Sequence, residues 1–247
     1  MLLLHGQPGS AADWRGVVTR LGSEVRPIVF DRPGWDGSSR AQDLAGNAVA
    51  ALAALQAYGD ECATVVGHSF GAAIAAWLAI HYPERVRGLI LCAPAANRAA
   101  MYPPELWLAA PVAGELASAT TMGGLGLALS VPRLAPRIAA TVGLDPGYVA
   151  AARRTLLSPS AWRAYAAEQR ALIRDLPALE ARLGAIGAPT TILTGDRDRV
   201  VPPGAPRALA DQIPGARLVT LTGAGHMLPQ RRPRQVADTI LAAVKVV

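Results

Sequence analysis

Six short apolar runs recur along this chain, and all but one pair of neighbours are separated by a single stretch with helical patterning. The runs are LLLH (2–5), PIVF (27–30), ATVVG (63–67), GLILC (88–92), TTILT (190–194) and RLVTL (217–221). Several are apolar at consecutive rather than alternate positions, the pattern of a strand covered on both faces. Helical patterning falls at 11–21, 41–58, 70–81, 204–212 and 230–245. Alternation of this kind leaves few architectures open. It predicts an α/β fold, with a mostly parallel sheet of about six strands flanked by helices. A chain of 247 residues is long enough to bury a sizeable core.

The rhythm breaks once. Residues 97–180 hold no convincing strand and are rich in Ala, Leu and Pro, with helix-like pieces at 104–118, 146–157 and 160–173. A stretch this long between two strands is no ordinary loop. Because the strand pattern resumes at 190, it is read as a helical lid inserted into the sheet domain. The organisation expected is a core of 1–96 and 181–247 with a lid or cap of 97–180.

Composition narrows the partners. The net charge of +6 comes almost wholly from arginine, with Lys245 the single lysine. The arginines are dispersed except in QRRPR (230–234), which lacks interleaved aromatics, so no nucleic-acid partner is expected. No uncharged apolar run reaches the roughly 18–20 residues of a membrane span. MLLLHG is too short and lacks the basic start of a signal peptide. Cys62 and Cys92 fall at opposite ends of adjacent expected strands, which predicts two unpaired thiols and a reducing, cytoplasmic setting. Two cysteines and four histidines show no metal-ligand spacing, so no metal is expected.

The third apolar run ends in GHSFG (67–71), directly before an Ala-rich helix. A Gly-x-Ser-x-Gly turn between strand and helix is a nucleophile elbow. It lifts the Ser69 hydroxyl above the strand ends, and small residues two before and two after keep helix and strand from colliding. The same turn sets Ser69 at the positive end of the helix, where backbone N–H groups lack partners.

Here the chain resembles the alpha/beta hydrolase fold family, and four further segments carry the resemblance. HGQPG (5–9) follows the first strand; the resemblance makes the backbone N–H of Gln7 an oxyanion donor beside that of Phe70, with His5 structural. DRPGWDGSS (31–39) is similar to the family's Asp-x-x-Gly-x-Gly-x-Ser turn with one residue extra, and is read as scaffold with Trp35 at the pocket rim. LTGDRDRVVPP (193–203) offers two acids; Asp198, four residues before Pro202, is preferred over Asp196. TGAGHMLP (222–229) presents His226 on a glycine-rich loop, and the chain order Ser, Asp, His is the one this fold uses.

The resemblance implies a serine hydrolase that needs no cofactor or metal, with Ser69, Asp198 and His226 as catalytic residues. Serine at the elbow argues against epoxide opening or dehalogenation, which use Asp there. A carboxylic ester, lactone or thioester of a small, largely apolar substrate is the preferred target. The same triad also serves carbon–carbon bond hydrolases and perhydrolases, and a non-catalytic ligand-binding protein is the remaining class. The lid supplies the candidate pocket residues Met101, Tyr102, Trp107 and Met122, with Trp35 and Met227 contributed by the core; its mainly apolar content also includes Leu106, Leu108, Leu125, Leu127, Tyr148 and Trp162. Relatives in the family have two strands before the HG loop, whereas Met1 here already lies in the strand leading to it. With that pair missing, 26–30 is expected to be a sheet edge with apolar side chains near solvent, an invitation to pair with a second copy.

Overall fold

The apolar runs become strands, and their continuous character has a structural cause. In the computed structural model, which describes residues 1–23, 25–37, 39–102, 109–142 and 144–245, they are β1 (Leu2–Leu4), β2 (Ile28–Val29), β3 (Ala63–His68), β4 (Val86–Cys92), β5 (Thr190–Gly195) and β6 (Arg217–Leu221). All pairings are parallel, in the order β2-β1-β3-β4-β5-β6. Side chains alternate between two buried layers. Leu2, Leu4, Val65, Leu89, Leu91 and Ile192 join one core cluster, whereas Leu3, Val66, Ile90, Cys92 and Leu193 join the other. Both faces being covered, the central strands carry apolar residues at consecutive positions.

Helices supply the cover. α1 (Arg15–Val18) follows a 3-10 turn at Ala11–Trp14, where the sequence suggests a longer helix over 11–21. α2 (Leu44–Ala57) is capped by Asp43, whose Oδ1 accepts the Gly46 N–H at 2.8 Å. α3 (Phe70–His81) is the central helix, with ten of its twelve residues buried. Burying each of Phe70, Ile74 and Leu78 contributes roughly 1.5–3 kcal/mol.

The stretch between β4 and β5 is helical as expected. It holds α4 (Ala113–Ala128), α5 (Ala135–Val142), α6 (Pro146–Leu156) and α7 (Pro159–Glu180). Within the expected 104–118 piece, helix begins at Ala113, and 104–108 lie outside the described residues. α5 escaped the sequence reading because Pro132, Pro136 and Pro146 crowd its ends; Pro136 falls in its first turn, where proline is tolerated. α7 runs past the expected end at 173 and through Pro177, held by Leu176 and Leu179, which are buried in the main core. After β5 come α8 (Ala205–Gln212), α9 (Leu228–Arg231) and α10 (Pro233–Val244). Pro233 opens α10 and splits the single helix expected over 230–245.

Cys62 and Cys92 are both free thiols. Among the described residues no helix is long and apolar enough to cross a membrane.

β2 is one edge of the sheet. The expectation of apolar side chains near solvent holds only in part, because Ile28 is fully buried whereas Val29 and Phe30 are half-buried against the two cores. Arg26 also pairs with Asp60 beside this edge. If two copies pair through 26–30, sedimentation velocity will show a dimer that grows with protein concentration; a single monomeric species throughout removes that mode of assembly.

Candidate active site

The chain leaves β1 for β2 on one side of the sheet and returns to β3 on the other, so loops diverge between β1 and β3. In open parallel sheets this point, at the carboxyl ends of the strands, forms a crevice. Four of the segments singled out in the sequence emerge there, after β1, β3, β5 and β6.

Ser69 lies between β3 and α3 with φ 54° and ψ −116°. A non-glycine residue at positive φ is strained and persists only where its surroundings over-determine it. They do so here: the Ser69 N–H donates to Cys92 O at 2.9 Å, and Ser69 O accepts from the Ala95 N–H at 3.2 Å. The two glycines are steric necessities. A Cβ on Gly67 would lie 2.2 Å from Gly71 O, and one on Gly71 would lie 2.4 Å from Leu4 O. Gly6 brings the loop after β1 against the turn, since its Cβ would lie 3.1 Å from Ser69 Cβ. Phe70, as the first residue of α3, has an N–H without an intrahelical partner.

His226 and Asp198 meet. The His226 Nδ1–H donates to Asp198 Oδ2 at 2.9 Å, so that Nε2 is the ring nitrogen with a lone pair. Asp198 Oδ1 accepts the Val200 and Val201 N–H groups at 2.8 and 2.9 Å. Burial pushes the Asp198 carboxyl up, but the hydrogen bond and charge of His226 and these two N–H groups outweigh it and hold it below its usual value. Asp196 faces away: it is exposed, and its Oδ1 accepts the Gly223 N–H at 2.7 Å, pinning the loop that carries His226. Gly195 allows that approach, because a Cβ there would lie 2.2 Å from Ala224 O. Among the described residues the Ser69 hydroxyl makes no hydrogen bond. Such bonds are often long before substrate closes a site.

Two further histidines are neutral and structural. His5 donates from Nδ1 to Gly6 O at 2.8 Å and accepts the Arg32 N–H on Nε2 at 3.0 Å. Burial and the Arg32 charge push its pKa well below normal. The His68 Nε2–H donates to His226 O at 3.0 Å, and burial, with the neighbouring His226, lowers its pKa to about 3.

A cavity of about 510 Å³ opens onto these loops. Gln7, His68, His226 and Met227 border it from the sheet side; Leu125, Leu129, Ile138, Tyr148, Val149 and Leu156 border it from the insertion. The candidate pocket residues therefore divide. Of the named candidates Met227 lines the cavity, joined by Leu125 and Tyr148 from the insertion's apolar content. Trp35, from the turn after β2, and Met122 instead pack in the apolar cluster that the insertion's helices build, with Trp162 against it. Met101 packs against the main core, Tyr102 is partly exposed nearby, and Leu127 is 65% exposed. Trp107 lies outside the described residues.

Three charged residues at this end of the sheet were not singled out by sequence reasoning. Arg32 and Glu168 form a buried ion pair, with side chains 1% and 0% exposed. Glu168 was legible in principle: Ala164, Glu168, Leu172 and Leu176 repeat at four-residue spacing, so the carboxylate interrupts an apolar stripe of α7. Asp13 is 4% exposed in the cavity wall, beside Tyr148 and Gln230. Burial pushes its carboxyl up to about 7, opposed by hydrogen bonds from Ser10 and Gln230. The unfolded chain would lose that proton near 3.8. Its contribution to stability is therefore fully present below about 3.8 and is lost as pH rises through about 7. Thermal melts of Asp13→Asn should decline less between pH 5 and pH 8 than those of the parent (about two transitions' width around the raised value). Parallel declines would show that Asp13 does not titrate in this window.

Comparison with known proteins fits this geometry. The family model for the alpha/beta hydrolase fold matches residues 1–229. The 2-hydroxymuconate semialdehyde hydrolase of Pseudomonas sp. (strain CF600) is 29% identical over 92% of this chain and 80% of its own length. Epoxide hydrolase B of Mycobacterium tuberculosis is 35% identical, but over only 40% of this chain and 30% of its own. Among solved structures, a thermophilic esterase from Thermogutta terrifontis superposes with a TM-score of 0.76 at 25% identity, covering 99% of this chain and 88% of that one. The enol-lactonase of Burkholderia xenovorans LB400 superposes with a TM-score of 0.77 at 21% identity, covering 99% and 90%. With its parallel sheet, its strained serine turn and this match over most of its length, the chain belongs to the alpha/beta hydrolase fold family.

Proposed function

We propose that this hydrolase is a serine carboxylesterase acting on small, largely apolar esters, lactones or thioesters through an acyl-enzyme. The observation that carries the reading is the His226 Nδ1–Asp198 Oδ2 hydrogen bond of 2.9 Å, formed at the same sheet end as the strained Ser69 turn. Ser69 Oγ attacks the carbonyl carbon while His226 Nε2 takes its proton. Asp198 keeps the imidazole in the required tautomer and stabilises the imidazolium. The N–H groups of Gln7 and Phe70 receive the oxyanion, each contributing roughly 10²–10³ in rate. His226 returns the proton to the leaving alcohol, and water, activated by the same imidazole, then releases the acid. The insertion acts as a lid whose apolar side chains select the acyl or alcohol group.

A second reading has a specific support. The relatives named 2-hydroxymuconate semialdehyde hydrolase align over 92% and 91% of this chain. Carbon–carbon hydrolysis of a vinylogous diketone uses the same nucleophile and base. Arg231, the one arginine among the described residues lining the cavity, would pair a substrate carboxylate.

Ser69→Ala should lower kcat by on the order of 10⁶, and a variant keeping a tenth of the parent rate would end the nucleophile assignment. Asp198→Asn should cost on the order of 10⁴ in kcat and Asp196→Asn far less; the reverse ranking would transfer the role to Asp196. A panel of p-nitrophenyl esters, lactones and vinylogous diketones separates the two readings. Higher kcat/KM on medium-chain esters than on acetate supports the esterase. Turnover confined to the diketones, reduced by Arg231→Gln, supports carbon–carbon cleavage.

A further inference from the structure

The buried Arg32 lies in the turn after β2, outside the proposed triad, yet it grips the loop that carries one proposed oxyanion donor. Its Nε–H donates to His5 O at 3.0 Å and one Nη2–H to Gly6 O at 2.9 Å. Nη1 donates to Asn47 Oδ1 at 3.1 Å and to Glu168 Oε1, and Nη2 also donates to Glu168 Oε2 at 3.1 Å. Each of the five N–H groups of the guanidinium thus has an acceptor. The same guanidinium carbon sits 4.9 Å from the ring centroid of Phe70, the residue carrying the other proposed donor.

Gly6 O and the Gln7 N–H belong to one peptide unit, which is trans. In a planar trans peptide these two groups point in opposite directions. Holding Gly6 O toward Arg32 therefore aims the Gln7 N–H away from it, while Gly6 itself abuts Ser69. The other ion-pair partner comes from the insertion. Glu168 is on α7, and its neighbour Gln169 accepts a hydrogen bond from the Gln7 side chain. Two consecutive residues of α7 are thus tied to the loop after β1, one through Arg32 and one directly.

We propose that Arg32 and Glu168 are positioning residues that set the oxyanion hole, by fixing the Gly6–Gln7 peptide plane and coupling it to the inserted helix α7. The proposal rests on the serine-hydrolase reading above. Its consequence is that the hole is formed only with α7 docked, so that seating of the lid is sensed at the transition state rather than in ground-state binding.

The test compares the parent with Arg32→Met/Glu168→Leu, which removes both charges, and with Glu168→Gln. Replacing a buried ion pair by apolar side chains of similar volume often leaves stability unharmed, but His5 O and Asn47 Oδ1 lose their Arg32 donor, so the double variant should melt below the parent and is assayed below its own transition. It should lose about 10²-fold in kcat on p-nitrophenyl butanoate with KM nearly unchanged, the signature of a lost oxyanion donor. Inhibition by an alkyl boronic acid, whose adduct places an oxygen in the hole, should weaken in parallel with kcat/KM. Glu168→Gln, with its acceptor charge gone but its shape kept, should show the same split at a smaller amplitude, and provides the readout should the double variant not fold. A folded variant whose kcat stays within about threefold of the parent, or whose loss lies wholly in KM, overturns the proposal. A parent enzyme that is neither labelled by a fluorophosphonate nor impaired by Ser69→Ala overturns the serine reading instead, and this proposal with it.

Discussion

The architecture of the site depends on one steric constraint, the contact of backbone with backbone where β3 turns into α3. Gly67 leaves room for the carbonyl of Gly71, and Gly71 leaves room for the carbonyls of Leu4 and His5. A single methyl group at either position would put a carbon 2.2–2.4 Å from a carbonyl oxygen. No side-chain adjustment relieves such a clash, since the atom met is main chain. Because α3 can sit this close, Ser69 is forced into its positive-φ conformation at the mouth of the sheet, and the loop after β1 can lie against it. The energy that sustains the strain comes from the near-complete burial of α3 and the backbone bonds to Cys92 and Ala95.

Around that constraint the charges are arranged by solvation. Asp198 is buried but keeps its charge because two backbone N–H groups and His226 replace the water it has lost. Asp13, equally buried, has weaker support, and its carboxyl is pushed up to about 7. Two carboxylates near one cavity thus differ by the number and aim of their donors. In the Arg32–Glu168 pair, burial pushes the Glu168 carboxyl up as well, opposed by the charge and hydrogen bonds of Arg32, whose five donors meet carbonyl, amide and carboxylate oxygens. Removing one member of such a pair typically costs about 3–5 kcal/mol, because the other is left charged and dry.

The insertion has two characters. Its helices build an apolar cluster of their own around Met122, Leu129, Val149 and Leu156, while the second half of α7 enters the main core through Leu172, Leu176 and Leu179. It is therefore anchored at one end and faces the cavity at the other. That division explains why residues of similar type had different fates. Leu125 and Tyr148 reach the cavity, whereas Met122 and Trp162 are consumed by helix packing.

Local patterns were enough for the sheet, the central helix, the serine turn and the choice of Asp198 as the neighbour of His226, because each depends on short-range rules. Continuous apolar runs mean doubly covered strands, glycines at fixed offsets mean close approach, and the family resemblance of the proline-marked turn pointed to Asp198. What lay beyond the sequence is what depends on elements far apart in the chain. Arg32 and Glu168 are 136 residues apart, and nothing local to either announces the other. The pocket lining was equally out of reach, since helical spacing cannot tell which apolar face meets a neighbouring helix and which meets open space. The sequence determined the sheet and the corner that raises Ser69. Only tertiary packing decided which side chains line the cavity and how α7 grips the loop beside that corner, because burial and pairing there are set by docking of separate elements rather than by neighbours along the chain.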